Sequence, residues 1–259
     1  MKKIKALALL LLAAIVLNAF TLAVFAESEG VNWYVKHSGN SRPDIDKAQR
    51  IIEKYNGYYI DKKVSDTSDK KILYLTFDAG YENGNVSKIL DILRDKNVPA
   101  AFFLLDHIIL KNTDVVMRMT NEGHLVCNHT KNHKDMSTQT KEQIINNLCD
   151  LEKIYEQKCG LVMSKYFRFP EGRYSEESLK TVSEMGYKII FWSFGYPDWD
   201  DTKQPNPQKA IDKILKNTHN GEVILLHPTS ETNAKILPTL IDKWREMGYS
   251  FGTLDELVS

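Results

Sequence analysis

Six residues have types and spacings that could do chemistry: Asp78, His129, His133, Arg168, Asp198 and His227. His129 and His133 stand four apart, and a helical turn between them would put both imidazoles on one side, as a metal ion requires of two ligands. Asp78 is suited to take a proton from water, and His227 to give one to a leaving group. Arg168 and Asp198 are of the kind that hold and tune such groups through charge-assisted hydrogen bonds. A base, an acid and a Lewis acid together describe metal-assisted hydrolysis of an acyl bond. Each residue also has a plainer reading. Asp78 could be a turn residue before Gly80, His227 a hydrogen-bonded core histidine, and Arg168 and Asp198 members of structural ion pairs.

What favours the chemical reading is where the elements place these residues. From Lys71 onward, short apolar runs alternate with amphipathic stretches. The runs are Ile72–Phe77, Ala100–Leu105, His124–Cys127, Tyr166–Phe169, Lys188–Ser193 and Val223–Leu226, with Tyr249–Gly252 as a seventh. Helical patterns lie between them at 85–96, 113–122, 140–158, 175–186, 207–219 and 231–247, several followed by glycines suited to C-caps. This alternation predicts a parallel sheet. The fold class is an α/β single domain, a distorted, incomplete (β/α) TIM-like barrel of about seven strands, with an open doubly wound sheet as the alternative. The candidate residues follow the C-terminal ends of five strands, the face from which barrels draw catalytic groups. Ahead of the barrel, residues 27–69 read as an arm and linker, with Asp44 capping a helix that runs to Tyr55 and ends at Asn56-Gly57.

The chain has 259 residues, 42% of them hydrophobic, enough for one core of barrel size. Its 34 Lys+Arg balance 34 Asp+Glu, which leaves no basic footprint for nucleic acid. Lys2, Lys3 and Lys5 precede an apolar run from Ala6 to Ala26 that ends in Val24-Phe25-Ala26, the pattern of a signal peptide over residues 1–26. An uncleaved anchor is the alternative, and the only membrane contact expected. Either way the remainder is exported. Cys127, Cys149 and Cys159 form no CxxC pair; Cys127 reads as a buried small hydrophobe. A Cys149–Cys159 bridge is disfavoured, because ten residues of helix separate them by about 15 Å. His37, His107, His124 and His219 are assigned no role.

Over about residues 70–258 the chain resembles the polysaccharide deacetylase (NodB-type) family. Thr76-Phe77-Asp78-Ala79-Gly80 is similar to its first motif, His129-Thr130-Lys131-Asn132-His133 to its second, Arg168-Phe169-Pro170-Glu171-Gly172 to its third, Asp198-Trp199 to its fourth and Leu225-Leu226-His227 to its fifth, in the family's order. The segments Gly80–Gly84, Phe191-Trp192-Ser193, Asp198-Trp199, Gly248–Phe251 and Leu254-Asp255 resemble the sporulation branch that makes muramic-δ-lactam. The resemblance implies a divalent metal, zinc by preference, on His129 and His133. It implies Asp78 as base held by Arg168, and His227 as acid held by Asp198. The substrate it implies is N-acetylmuramic acid in peptidoglycan strands that an N-acetylmuramoyl amidase has already stripped. The setting it implies is the cell wall or the forespore intermembrane space. Tyr81, Pro170, Trp199 and Leu225, with Trp192, are expected to line the acetyl and sugar pocket, and backbone N–H groups after Pro170 to face the developing oxyanion. The departure is Ala79, where the wider family has a metal-binding Asp; a side chain such as Asn83 would have to complete the shell. Three other readings remain: another glycan (chitin oligomers, xylan, intact peptidoglycan), a binding module that has lost catalysis, and, more remotely, a glycoside hydrolase. The last would need two carboxyls across the scissile bond.

Overall fold

In the computed structural model, residues 30–259 apart from residue 38 are described; the expected signal segment, residues 1–26, lies outside them. In chain order the strands are β1 (Val31–Asn32), β2 (Gly57–Tyr58), β3 (Ile72–Ala79), β4 (Ala101–Leu104), β5 (Leu125–Asn128), β6 (Ser164–Phe167), β7 (Arg173–Tyr174), β8 (Lys188–Ile190), β9 (Phe194–Gly195), β10 (Glu222–Leu226) and β11 (Ser250–Phe251). The main sheet runs β2-β8-β6-β5-β4-β3-β10-β9, with β11 added along the start of β3. All of its strand pairings are parallel.

The sheet is curled. β8 and β9 are separated in the chain by only Phe191–Ser193, yet they lie toward opposite ends of the strand order. The Ser193 N–H donates to the Val223 carbonyl at 3.0 Å, and Ile60, just past β2, bridges to Glu222 of β10. The run read as one strand, Lys188–Ser193, is therefore broken at this seam: its first half pairs with β6 and its continuation with β10.

β3 shows why the sequence folds this way. It is buried nearly from end to end, as a parallel strand covered on both faces should be. Leu73, Leu75 and Phe77 join a core with Val86, Ile89, Leu90 and Leu93 of the helix Asn85–Asp95, and with Leu237, Leu240 and Trp244 of the helix Glu231–Glu246. Ile72 and Tyr74 point the other way, into the barrel with Phe103, Cys127, Ile190 and Val223. Continuing that inner row by twos gives Thr76 and Asp78. The row is apolar at the base of the barrel and polar at its C-terminal rim.

The expected helices are present as Asn85–Asp95, Thr113–Asn121, Lys141–Cys159, Glu176–Glu184, Pro207–Asn217 and Glu231–Glu246. Thr140 and Ser175 each close a capping box, and Gly160 ends its helix in the left-handed region. A further short helix, Asp106–Lys111, follows β4. Cys149 and Cys159 share one helix, and all three cysteines are free.

The arm departs most from expectation. Asp44 does not cap a helix: its carboxylate accepts from the Ile45 N–H and from Arg50, and the helix is a 3₁₀ segment, Gln49–Tyr55, ended by left-handed Asn56. Nor is the arm peripheral. Trp33, Ile45, Ile52 and Tyr59 build a second core with Phe167, Phe169, Tyr174, Leu179, Tyr187 and Phe191 of the barrel. The linker is pinned through Asp61, whose carboxylate accepts from the Tyr74 hydroxyl at 2.6 Å. No helix among the described residues is long and apolar enough to cross a membrane.

Candidate active site

Asp78 ends the inner row of β3 and meets Arg168, the residue after β6. Arg168 is fully buried. Its Nη1 donates to Asp78 Oδ1 at 2.7 Å, its Nη2 to Thr76 Oγ1 at 2.8 Å, and its Nε to the Ile190 carbonyl at 2.9 Å. Thr76 is itself fixed, donating to the Ile224 carbonyl at 2.6 Å. The guanidinium stacks 4.3 Å from the Phe103 ring centroid. Three strands and an aromatic face thus lock one cation against one carboxylate. Burial pushes the Asp78 carboxyl up, but Arg168, then His129 and His227, outweigh it and hold the carboxyl below its ordinary range. Asp78 is anionic at neutral pH, as a base must be.

His227 follows β10. Its Nδ1 lies 2.7 Å from Asp198 Oδ1, and its backbone N–H donates to Asp198 Oδ2 at 2.9 Å. A carboxylate only accepts, so Nδ1 carries the hydrogen and Nε2 is left for the cavity. Asn233, near the start of the helix Glu231–Glu246, donates to Asp198 Oδ2 at 2.6 Å and to the His227 carbonyl at 3.0 Å. Burial would lower the His227 pKa; the bond to Asp198, with the charges of Asp198 and Asp78, raises it above its ordinary value. The two titrating groups are pushed apart, one toward the anion and the other toward the cation, as a base and acid working together require.

His129 and His133 come together, with ring centroids 5.1 Å apart, but not on a helix. The segment after β5 is a loop in which Thr130 and His133 take left-handed φ angles of 72° and 56°. The Asn128 side chain accepts from the Thr130 N–H, and the Thr130 hydroxyl from the His133 N–H, so short polar bonds fold the loop in place of a helical turn. The His129 Nδ1 donates to the Arg168 carbonyl at 2.9 Å, which turns the Nε2 lone pair toward Asp78, 3.5 Å away. Burial lowers the His129 pKa to about 4 and keeps the ring neutral, the form a metal takes. This carbonyl-oriented imidazole beside a second imidazole fits two positions of a zinc-type shell. A third protein ligand is missing. Among the described residues no three His, Cys, Asp or Glu side chains form a metal-binding group, and Ala79 offers no donor. Asn83 is committed elsewhere, donating to the Thr229 carbonyl and accepting from the Asn85 N–H.

These groups open on a cavity of about 600 Å³ lined by Asp78, His129, His133 and His227. Tyr81, Trp199 and Leu225 line it as expected, and so does Trp192. Trp199 is 59% exposed, and its ring stands edge-on to His227 at 6.0 Å. Pro170, expected at the wall, is buried behind it, because the tight turn that follows presents Glu171 (φ 56°) to the cavity instead. Of the backbone donors after Pro170, the Gly172 N–H is spent on the Phe169 carbonyl. Sequence reasoning missed Thr76, Glu171, Thr229 and Asn233. Thr76 and Glu171 sit inside recognised motifs, which was the available signal; for Asn233, six residues past His227, there was none.

The polysaccharide deacetylase family model matches residues 65–190. The chain is 35% identical over 233 residues to the peptidoglycan-N-acetylmuramic acid deacetylase PdaA of Bacillus subtilis, covering 89% of this chain and 87% of that one. The solved structure of PdaA, described as a family 4 carbohydrate esterase, superposes with a TM-score of 0.82 at 34% identity, covering 89% and 97% of the two chains. A Bacillus cereus peptidoglycan-N-acetylglucosamine deacetylase is 31% identical over 198 residues, 74% of this chain and 90% of its own. A family pseudoenzyme from Bacillus anthracis has a TM-score of 0.68 at 27% identity, over 74% and 66% of the chains. With its five motifs gathered around one cavity and a relative matched along nearly its whole length, this chain belongs to the polysaccharide deacetylase family, the family 4 carbohydrate esterases.

Proposed function

We propose that this protein is a peptidoglycan deacetylase that removes the acetyl group from N-acetylmuramic acid in peptide-stripped strands. The observation that carries the reading is the pairing, across one cavity, of Asp78 bound to Arg168 with His227 bound to Asp198, the carboxyl shifted below its ordinary pKa and the imidazole above it. The choice of muramic acid rests on the likeness to PdaA. Asp78 takes a proton from water as its oxygen attacks the acetyl carbonyl. His227 delivers its Nε2 proton to the departing sugar nitrogen, Asp198 stabilises the imidazolium beforehand, and acetate leaves. His129 and His133 would hold a divalent metal, zinc by their chemistry, which when bound supplies Lewis-acid polarisation of the carbonyl. Two protein ligands predict weak retention. The freed amine then closes on the lactyl carboxyl with loss of water to give muramic-δ-lactam; the need for a free carboxyl supports action after an N-acetylmuramoyl amidase, and the resemblance to the muramic-δ-lactam branch supports a role in spore cortex formation. The basic, apolar start of the chain supports export to the cell wall or the forespore intermembrane space, with any membrane contact through an uncleaved N-terminus.

Ala79 and the likeness to a pseudoenzyme favour one second reading, a catalytically inactive glycan binder. The retained base and acid argue against it, because binding alone needs neither pair. Mass spectrometry of peptide-stripped and peptide-bearing strands, with and without added zinc, separates the readings. Loss of acetyl or formation of lactam on stripped strands alone is the expected result. Binding to the strands with acetyl retained on both would establish the binder.

A further inference from the structure

We propose that Trp33, in the arm ahead of the barrel, is a positioning residue that shapes the sugar-binding wall and thereby selects the muramic unit. Three observations converge on it. The Trp33 N–H donates to the Gly172 carbonyl at 2.9 Å, extending the antiparallel pairing of β1 with β7. Its indole Nε1–H donates to the Trp192 carbonyl, also at 2.9 Å. Its ring lies 4.5 Å from that of Phe191 and is 5% exposed. Trp33 thus ties the loop after β6, through its backbone N–H, to the loop after β8, through its indole, and each of those loops contributes to the cavity wall, through Glu171 and Trp192 respectively.

The fit at this junction is close. A methyl group on Gly172 would sit 2.7 Å from the Trp192 ring and 2.8 Å from the Trp33 Cβ, and Gly172 has a φ of +65° that favours glycine. Glu171 beside it holds a left-handed φ without being glycine, a conformation that persists only where its surroundings enforce it. The hydrogen bonds and ring pairs of Trp33 run to Gly172, Trp192, Tyr59 and Phe191, so it acts on the shape of the wall and not on proton transfer.

The extent of the relatives bears on what that shape selects. The N-acetylmuramic acid deacetylase aligns over 233 residues, more than the barrel from residue 70 onward contains, so its match takes in part of the arm. The N-acetylglucosamine deacetylase aligns over the shorter stretch of 198 residues. The two sugar units differ by the lactyl ether on O3, and the wall braced by the arm is assigned to meet it. This inference rests on the proposed deacetylase reading.

The test is Trp33→Phe, which keeps an aromatic ring against Phe191 and removes the indole donor. Amide exchange over residues 192–195 should quicken, while the backbone bond from residue 33 to Gly172 stays in place. On peptide-stripped strands KM should rise about three- to tenfold, the worth of one lost hydrogen bond, while kcat and the pH profile stay put. Preference over chitin oligomers should fall. Unchanged exchange over residues 192–195 overturns the positioning role, and faster exchange there with KM and preference unchanged overturns the selection role. If the wild-type protein releases no acetate from any glycan, the deacetylase reading fails and the selection role with it, while amide exchange still decides whether the Trp33 indole holds the loop after β8.

Discussion

Replacing Arg168 by methionine isolates what the buried ion pair does. Arg168 is fully buried, and its partner Asp78 has a side chain 9% exposed. The substitution keeps an apolar stem of similar length and strands the carboxylate without its 2.7 Å partner. Breaking one side of a buried pair costs about 3–5 kcal/mol, because the remaining charge is left uncompensated. For a domain of this size that lowers Tm by on the order of 10 °C. The Asp78 carboxyl, with burial now opposed only by His129 and His227, should titrate higher, so the acid limb of kcat/KM moves to higher pH. The double variant Arg168→Met/Asp78→Asn removes the stranded charge, and it should be more stable than Arg168→Met alone. Thermal melts of the four proteins at pH 7 complete the cycle. A double variant no more stable than Arg168→Met, or a single variant that loses less than about 1 kcal/mol, would refute the argument that the guanidinium is there to compensate Asp78.

Asp198→Asn should lower the His227 pKa toward and below its ordinary value, so the alkaline limb of kcat/KM moves down in pH while the acid limb stays in place, read from a pH–rate profile. His124 and His219 are each held near 4 by burial, against an ordinary 6.5. The unfolded chain therefore protonates first, and stability should fall as pH drops from 6.5 toward 4, by up to about 3 kcal/mol per histidine. His124, neither of whose ring nitrogens has a partner, offers the test: denaturant melts of His124→Leu should show a shallower loss across that window. Ala79→Asp places a carboxylate on the wall that holds His129 and His133, and calorimetric zinc titration should show affinity higher by about tenfold or more.

The barrel was legible because its strands are buried on both faces and read as continuous apolar runs, while each helix carries its own caps. The rim was legible because the same strands end in Asp78, Arg168 and His227. The seam at Phe191–Ser193 was not: the apolar run continues through it, and only the closing of the sheet decides that half pairs with β6 and half with β10. The His129–His133 spacing suggested a helical turn that the Asn128 and Thr130 side chains replace with a loop. The arm's role was hidden because Trp33, Ile45 and Ile52 are too scattered to show a period; their partners are aromatic residues more than a hundred positions away. Asn233 was invisible for a related reason, since its link to Asp198 exists only once the helix after His227 packs back on the rim.

In the proposed function, Asp78 and His227 together hydrolyse an N-acetyl bond of the glycan. The most direct test is acetate release from peptide-stripped strands with zinc supplied, comparing the wild-type protein with Asp78→Asn and His227→Ala and confirming that each is folded. Release by the wild type is expected, with a loss of about a hundredfold or more in each variant, the usual worth of a positioned acid or base. Equal release by all three proteins would contradict it.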